Sequence, residues 1–201
     1  IMSSDWSSDV CSSDLAENPP AQGVVFIIPE ANKISVFNNK RRIPVPDGVD
    51  RERGNLNRSY PGDARGLPME RMAYQISELI RSEKIDVLLD LHESPVFHLE
   101  YKSKKNEYHG LGQTLIYTPN EQATWLGMIV LDHLNSQIPP GLKQFSLAER
   151  PIKHSTAWAA GEYFNIPGFT VETCKQLPLE ERIGYQMEVV DTILREMKVI
   201  E

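Results

Sequence analysis

The stretch "IDVLLDLHES", residues 85–94, decides how this chain is read. From Ile85 to Leu91 the residues are apolar apart from two aspartates. A run that short and that apolar reads as a strand buried on both faces, as in a parallel sheet. The polar triplet His92-Glu93-Ser94 then falls at the strand's carboxyl end. In open α/β sheets, that is where ligands bind.

The same strand signal recurs on either side of this stretch. "GFTVE" (168–172), "QTLIY" (113–117) and "VVFIIP" (24–29) read as short strands, with a weaker candidate at 144–148. Helical periodicity lies between them. Over 68–83, Met69, Met72, Ala73, Ile76, Leu79 and Ile80 share one face behind Pro68 in the first turn. A second helix is expected from about Glu121 to Leu134, with Asn120 as its cap, and a short one near 155–165. The last, about 179–199, follows Pro178 and is expected to bury Leu179, Ile183, Met187, Val190, Leu194 and Met197. This alternation predicts an α/β domain with a mostly parallel or mixed sheet flanked by helices.

Bulk properties narrow the class. The chain has 201 residues, 40% apolar and 24% charged, with net charge −7 and no basic tract. That argues against a nucleic-acid partner. The longest apolar run, Val24 to Ile28, is too short to cross a membrane. There is no repeat with a period of about 20–50 residues. The opening tract "SSDWSSDVCSSDL" holds Ser-Ser-Asp three times, with no basic start and no apolar segment, so it is not a secretory signal. It resembles a translated sequencing adapter. Residues 1–15 are read as an artefactual tail and 16–201 as the domain. The tail carries Cys11, which leaves Cys174 without an intrachain disulfide partner. A reducing, cytoplasmic compartment is favoured.

Residues 30–66 have no sustained period and are rich in Asn, Arg, Pro and Gly. So long a loop in a compact domain is functional or disordered. Function is favoured here, because the segment contains "GNLNRSYPGD" (54–63). Arg58 is a fixed fork of donors suited to a carboxylate, and Asn57 adds an amide beside it. The pair suits an anionic substrate; a plain polar loop is the alternative. His92 could ligate zinc through one ring nitrogen while the other donates to an acceptor. Judged by position alone, a hydrogen-bonded histidine at a sheet edge is the commoner case. No His is followed four residues later by His or three residues later by Glu. Glu172 leaves a buried strand, where desolvation raises a carboxyl pKa and suits it to shuttle protons. Taken alone, a surface Glu is commoner there. Cys174 has no His near it in sequence and reads as a buried structural thiol. His98, His109, His133 and His154 lack metal spacing, and "YKSKK" (101–105) reads as a solvated turn.

Together, the segments "IIPEAN" (27–32), "NLNRSYPGD" (55–63), "MERMAYQI" (69–76), "LLDLHES" (88–94) and "IPGFTVET" (166–173) resemble the zinc carboxypeptidase superfamily. The similarity is to its succinylglutamate desuccinylase/aspartoacylase-like branch, over roughly residues 22–200. The resemblance implies a zinc-carboxypeptidase-like catalytic domain lacking its N-terminal part. It implies a zinc-dependent hydrolase of amide bonds next to a free carboxylate, acting on a small peptide or acyl-amino acid. His92 is then the last of three zinc ligands. Glu172 is the general base and acid working with the zinc-bound water. Asn57 and Arg58 hold the substrate carboxylate. Arg53, with Arg51 and Arg42 as rivals, faces the developing oxyanion.

The family's other two zinc ligands belong to a His-x-x-Glu motif upstream of the strand matched by "VVFIIP", and this sequence has no such motif. The expectation is therefore an inactive fragment with an exposed sheet edge, without the C-terminal β-rich domain of that branch. Two other readings stay open. One is a non-catalytic carboxylate-binding module of the same fold. The other is an unrelated α/β enzyme using Cys174.

Overall fold

The computed structural model describes residues 2–3, 17, 20, 22–38, 40–100, 110–149 and 151–200. His109, the run 101–105 and the opening tract other than Met2–Ser3 lie outside the described residues. Among the described residues, five strands form one sheet: β1 (Met2–Ser3), β2 (Leu88–Ser94), β3 (Thr114–Tyr117), β4 (Ser146–Ala148) and β5 (Gly168–Cys174), in the order β1-β2-β5-β3-β4. β1 and β5 both run parallel to β2, and β4 runs parallel to β3. β3 and β5 are antiparallel, so the sheet is mixed.

The helices are α1 (Lys33–Asn38), α2 (Pro68–Ser82), α3 (Glu121–Gln137), α4 (Thr156–Ala159) and α5 (Leu179–Glu196). A π turn, Ala160–Phe164, extends α4. Caps explain where the longer helices begin. Glu70 reaches back to accept from the Leu67 amide at 2.7 Å at the start of α2. Asn120 Oδ1 accepts from the Ala123 amide at 2.7 Å at the start of α3. Among the described residues, no helix is long and apolar enough to cross a membrane.

Side-chain alternation along β2 and β5 separates core from site. Leu89, Leu91, Phe169 and Val171 point to one face and join Leu126, Val130, Val189 and Ile193 of α3 and α5 in the main core. Burying each such side chain contributes about 1.5–3 kcal/mol. The other face carries Leu88, which packs with Met69, Ile76 and Ile80 of α2 in a second cluster. The alternate positions Asp90, His92, Thr170 and Glu172 therefore leave that second face, towards the 54–60 segment.

Three local expectations need correction. "VVFIIP" makes no strand: only Ile28 forms a single bridge, and Val24 is 74% exposed. A strand exists through its ladder, and the outer edge of β2 pairs with Met2–Ser3 instead. Val25 and Ile28 pack sideways onto the two clusters. β2 begins at Leu88 rather than Ile85, because the Ile85 amide still donates to Ile80 O at the exit of α2. In α5 the buried residues are Gln186, Val189, Val190, Thr192, Ile193 and Leu194, while Leu179, Ile183, Met187 and Met197 are only half-buried. The loop 30–66 contains α1 and two tight 3-10 turns, Arg51–Gly54 and Leu56–Arg58.

Candidate active site

β2 and β5 lie side by side in register, and His92 is the direct partner of Glu172. Both residues line a cavity of about 640 Å³, together with Asn57, Arg58, Asp90 and Thr156. Asn57 and Arg58 arrive from the 3-10 turn Leu56–Arg58, whose start is fixed by Asn55 Oδ1 accepting from the Asn57 amide. The four residues singled out as metal ligand, proton carrier and carboxylate grip thus line one cavity, although they come from three separate segments.

Asn57 is tied down on both sides. Its Oδ1 accepts from the Thr156 amide at 2.8 Å and from the Thr156 hydroxyl at 3.1 Å. Its Nδ2 lies 3.5 Å from His92 Nε2. Arg58 Nη1 donates to the Asn57 carbonyl. Arg58 Nη2 is buried and has no hydrogen-bond partner among the described residues. Arg58 lines the cavity, although this particular nitrogen is itself shielded within the wall.

His92 Nε2 lies 3.0 Å from Asp90 Oδ2, and Asp90 is only 3% exposed. A carboxylate that deep needs a partner, and the imidazole is one. Asp90 was missed in the sequence. It stands two residues before His92 on the same face of the strand, so the period-two rule could have found it. Thr156, which orients Asn57, had no local signal. Glu172 is 8% exposed. Beneath the site, Tyr60 is buried, and its phenol is pushed far above its ordinary pKa by that burial and then by the charge of Asp90. It stays neutral.

Arg53 lies elsewhere. It does not line the cavity, and its guanidinium grips Glu70 with Nε–Oε1 at 2.7 Å and Nη2–Oε2 at 2.8 Å. Its rival Arg42 bonds to Glu52. The cations on the cavity wall are Lys40, Arg41, Arg58 and Lys175. His98, His133 and His154 bond to Gly110 O, Glu188 and Tyr60 O respectively, and do not gather at the site. Cys174 is fully buried, and desolvation raises its thiol pKa.

A catalytic zinc takes three protein ligands. Among the described residues, no three His, Cys, Asp or Glu side chains are grouped so as to hold an ion. His92 is a suitable donor, but the described residues do not complete a zinc site around it.

Residues 9–197 match the family model "Succinylglutamate desuccinylase/Aspartoacylase catalytic domain". No curated protein matches the chain. Several solved structures share its fold. Csd4 of Helicobacter pylori, a D,L-carboxypeptidase solved in an mDAP-bound form, superposes with a TM-score of 0.76 at 16% identity, covering 98% of this chain and 50% of that one. An aspartoacylase family protein from Mesorhizobium loti gives 0.68 at 17% identity, covering 100% and 58%. The ectoine utilization protein EutE from Ruegeria pomeroyi, in a product-bound structure, gives 0.65 at 16%, covering 100% and 57%. The chain spans about half the length of these relatives.

Proposed function

Because this chain belongs to the succinylglutamate desuccinylase/aspartoacylase catalytic domain family, we propose that its cavity serves the hydrolysis of an amide bond next to a free carboxylate. The substrate is a small peptide or an acyl-amino acid. One observation carries this reading: His92, Glu172 and Arg58 line the same cavity.

The roles follow from the contacts. Arg58, which lines the cavity, takes the substrate carboxylate through its guanidinium; a hydrogen bond to a charged group contributes about 1.5–3 kcal/mol. Asn57 belongs to the grip as the residue that fixes Arg58, since its carbonyl accepts from Nη1 while Thr156 holds its side chain. Glu172, nearly buried beside His92, holds or passes a proton at its carboxylate. Arg41, which lines the cavity, is better placed than Arg53 to face a developing oxyanion.

Zinc is the metal of the resembled family, and His92 would be one of its ligands. Among the described residues, the donors around His92 do not fit the ion. That same observation favours a second reading: a non-catalytic carboxylate-binding module of the same fold, with the Arg58 grip intact.

Titration with N-acetyl-amino acids and with their methyl esters, with chelator or with equimolar zinc, tests the proposal. Binding of the acids and not the esters supports the grip. Hydrolysis that depends on added zinc supports the enzyme reading over the binding module. Failure of both acid and ester to bind overturns the proposal.

A further inference from the structure

The buried side of α5 is mostly apolar, with Val189, Val190 and Ile193 packed on the sheet. Gln186 stands among them and is 0% exposed. A buried carboxamide is costly unless it is bonded. Gln186 Nε2 lies 3.2 Å from the backbone carbonyl oxygen of His92 and donates to it, and it also donates to the Thr173 hydroxyl at 3.2 Å. The Thr173 hydroxyl in turn donates to the same His92 carbonyl at 3.4 Å. The other half of the amide, Oε1, is buried without a partner among the described residues. An apolar side chain of similar volume would pack as well and leave no orphan acceptor, so packing does not account for a glutamine here.

One turn earlier on the same helix, Arg182 pairs with Glu93, whose side chain is only 3% exposed. α5 therefore holds two consecutive residues of β2, from behind the sheet, at the point where the strand presents His92 to the cavity on its other face. We propose that Gln186 is a positioning residue for His92. By tying the peptide carbonyl at 92 to Thr173 of β5, it fixes the strand end, and with it the aim of the imidazole at Asp90 and Asn57. The inference deepens the functional reading above, because it matters only if His92 belongs to the site.

The test uses the full chain carrying Gln186→Met, which keeps the volume and removes the donor. The measurements are the imidazole ¹⁵N and ¹H resonances of His92, the thermal midpoint, and the affinity for an N-acetyl-amino acid. The expected result is a folded protein whose His92 ring resonances shift or broaden and whose affinity for the acid falls measurably, because Asn57, which fixes Arg58, lies against the same imidazole. If Gln186→Met does not fold, Gln186→Leu carries the same test, since it too removes the amide that donates to the His92 carbonyl. His92 resonances that stay unchanged in a folded variant overturn the proposal. Shifted His92 resonances, in a chain whose wild type binds neither acid nor ester, support Gln186 as a positioner and sink the functional reading instead.

Discussion

His92 and Glu172 are register partners in the parallel pair of β2 and β5, so their side chains leave the same face of the sheet as immediate neighbours. The strands that carry them are eighty residues apart in sequence, and their burial is supplied by helices on both faces. The cavity on the site face then brings Arg58 to the same place.

Arg58→Ala is expected to weaken carboxylate ligands by about tenfold or more and to leave the corresponding methyl esters unaffected, because the proposed partner of this cavity-lining guanidinium is the ligand's charged carboxylate. Calorimetric titration of both ligand classes against wild type and variant checks this. Equal losses for acid and ester would remove the grip assignment.

Glu172→Gln replaces an ionisable carboxyl with a neutral amide in the proposed carboxylate-binding cavity. Carboxylate affinity should therefore rise, by about twofold to tenfold. In a form of the protein that hydrolyses substrate, the same change should cut turnover by about 10²–10⁴-fold with metal content unchanged. Titration and single-turnover assays read the two effects separately.

Acid sensitivity should be written partly in the Arg53–Glu70 pair. The hydrogen bonds from Arg53, and then the Leu67 amide, hold the Glu70 carboxyl below its ordinary value of 4.5. A depressed carboxyl pKa contributes stability that is present above the unfolded-state value and lost as pH falls through the folded-state value. Wild type should therefore lose this contribution below about pH 4.5, and Glu70→Gln should flatten that part of the stability profile while lowering stability at neutral pH. Urea denaturation at pH 7 and pH 3.5 measures the difference.

Gly62 closes the Asn57–Arg58 segment against α2. Its φ is +91°, and a Cβ built there would lie 2.0 Å from the Tyr74 amide nitrogen. Gly62→Ala should destabilise the fold by more than about 3 kcal/mol, visible as a lowered urea midpoint. A midpoint within error of wild type would mean that this turn sits differently on α2.

The parts of this fold legible in the sequence are those fixed by local rules. β5, α2, α3 and the Asn120 cap appear close to where apolar period, Pro68 and capping chemistry place them. "VVFIIP" misled because strand propensity cannot supply a ladder partner. In α5, Val190 and Leu194 are buried as the apolar period predicts, but Gln186 is buried as well because it bonds the backbone of β2, a contact no periodicity reveals. Likewise, His92, Glu172, Asn57 and Arg58 could be named from type and position. The placement of Arg53 on Glu70, and of Asp90 on His92, depends on packing between segments far apart in the chain.

In the proposed function, one carboxylate ligand touches a single cavity bounded by both Arg58 and His92. The most direct measurement is a titration of isotopically labelled protein with an N-acetyl-amino acid, following the Arg58 guanidinium and His92 imidazole resonances. Both sets of signals should move together along one binding curve, and the methyl ester should move neither. Saturable binding that leaves the His92 and Arg58 resonances in place would contradict the account.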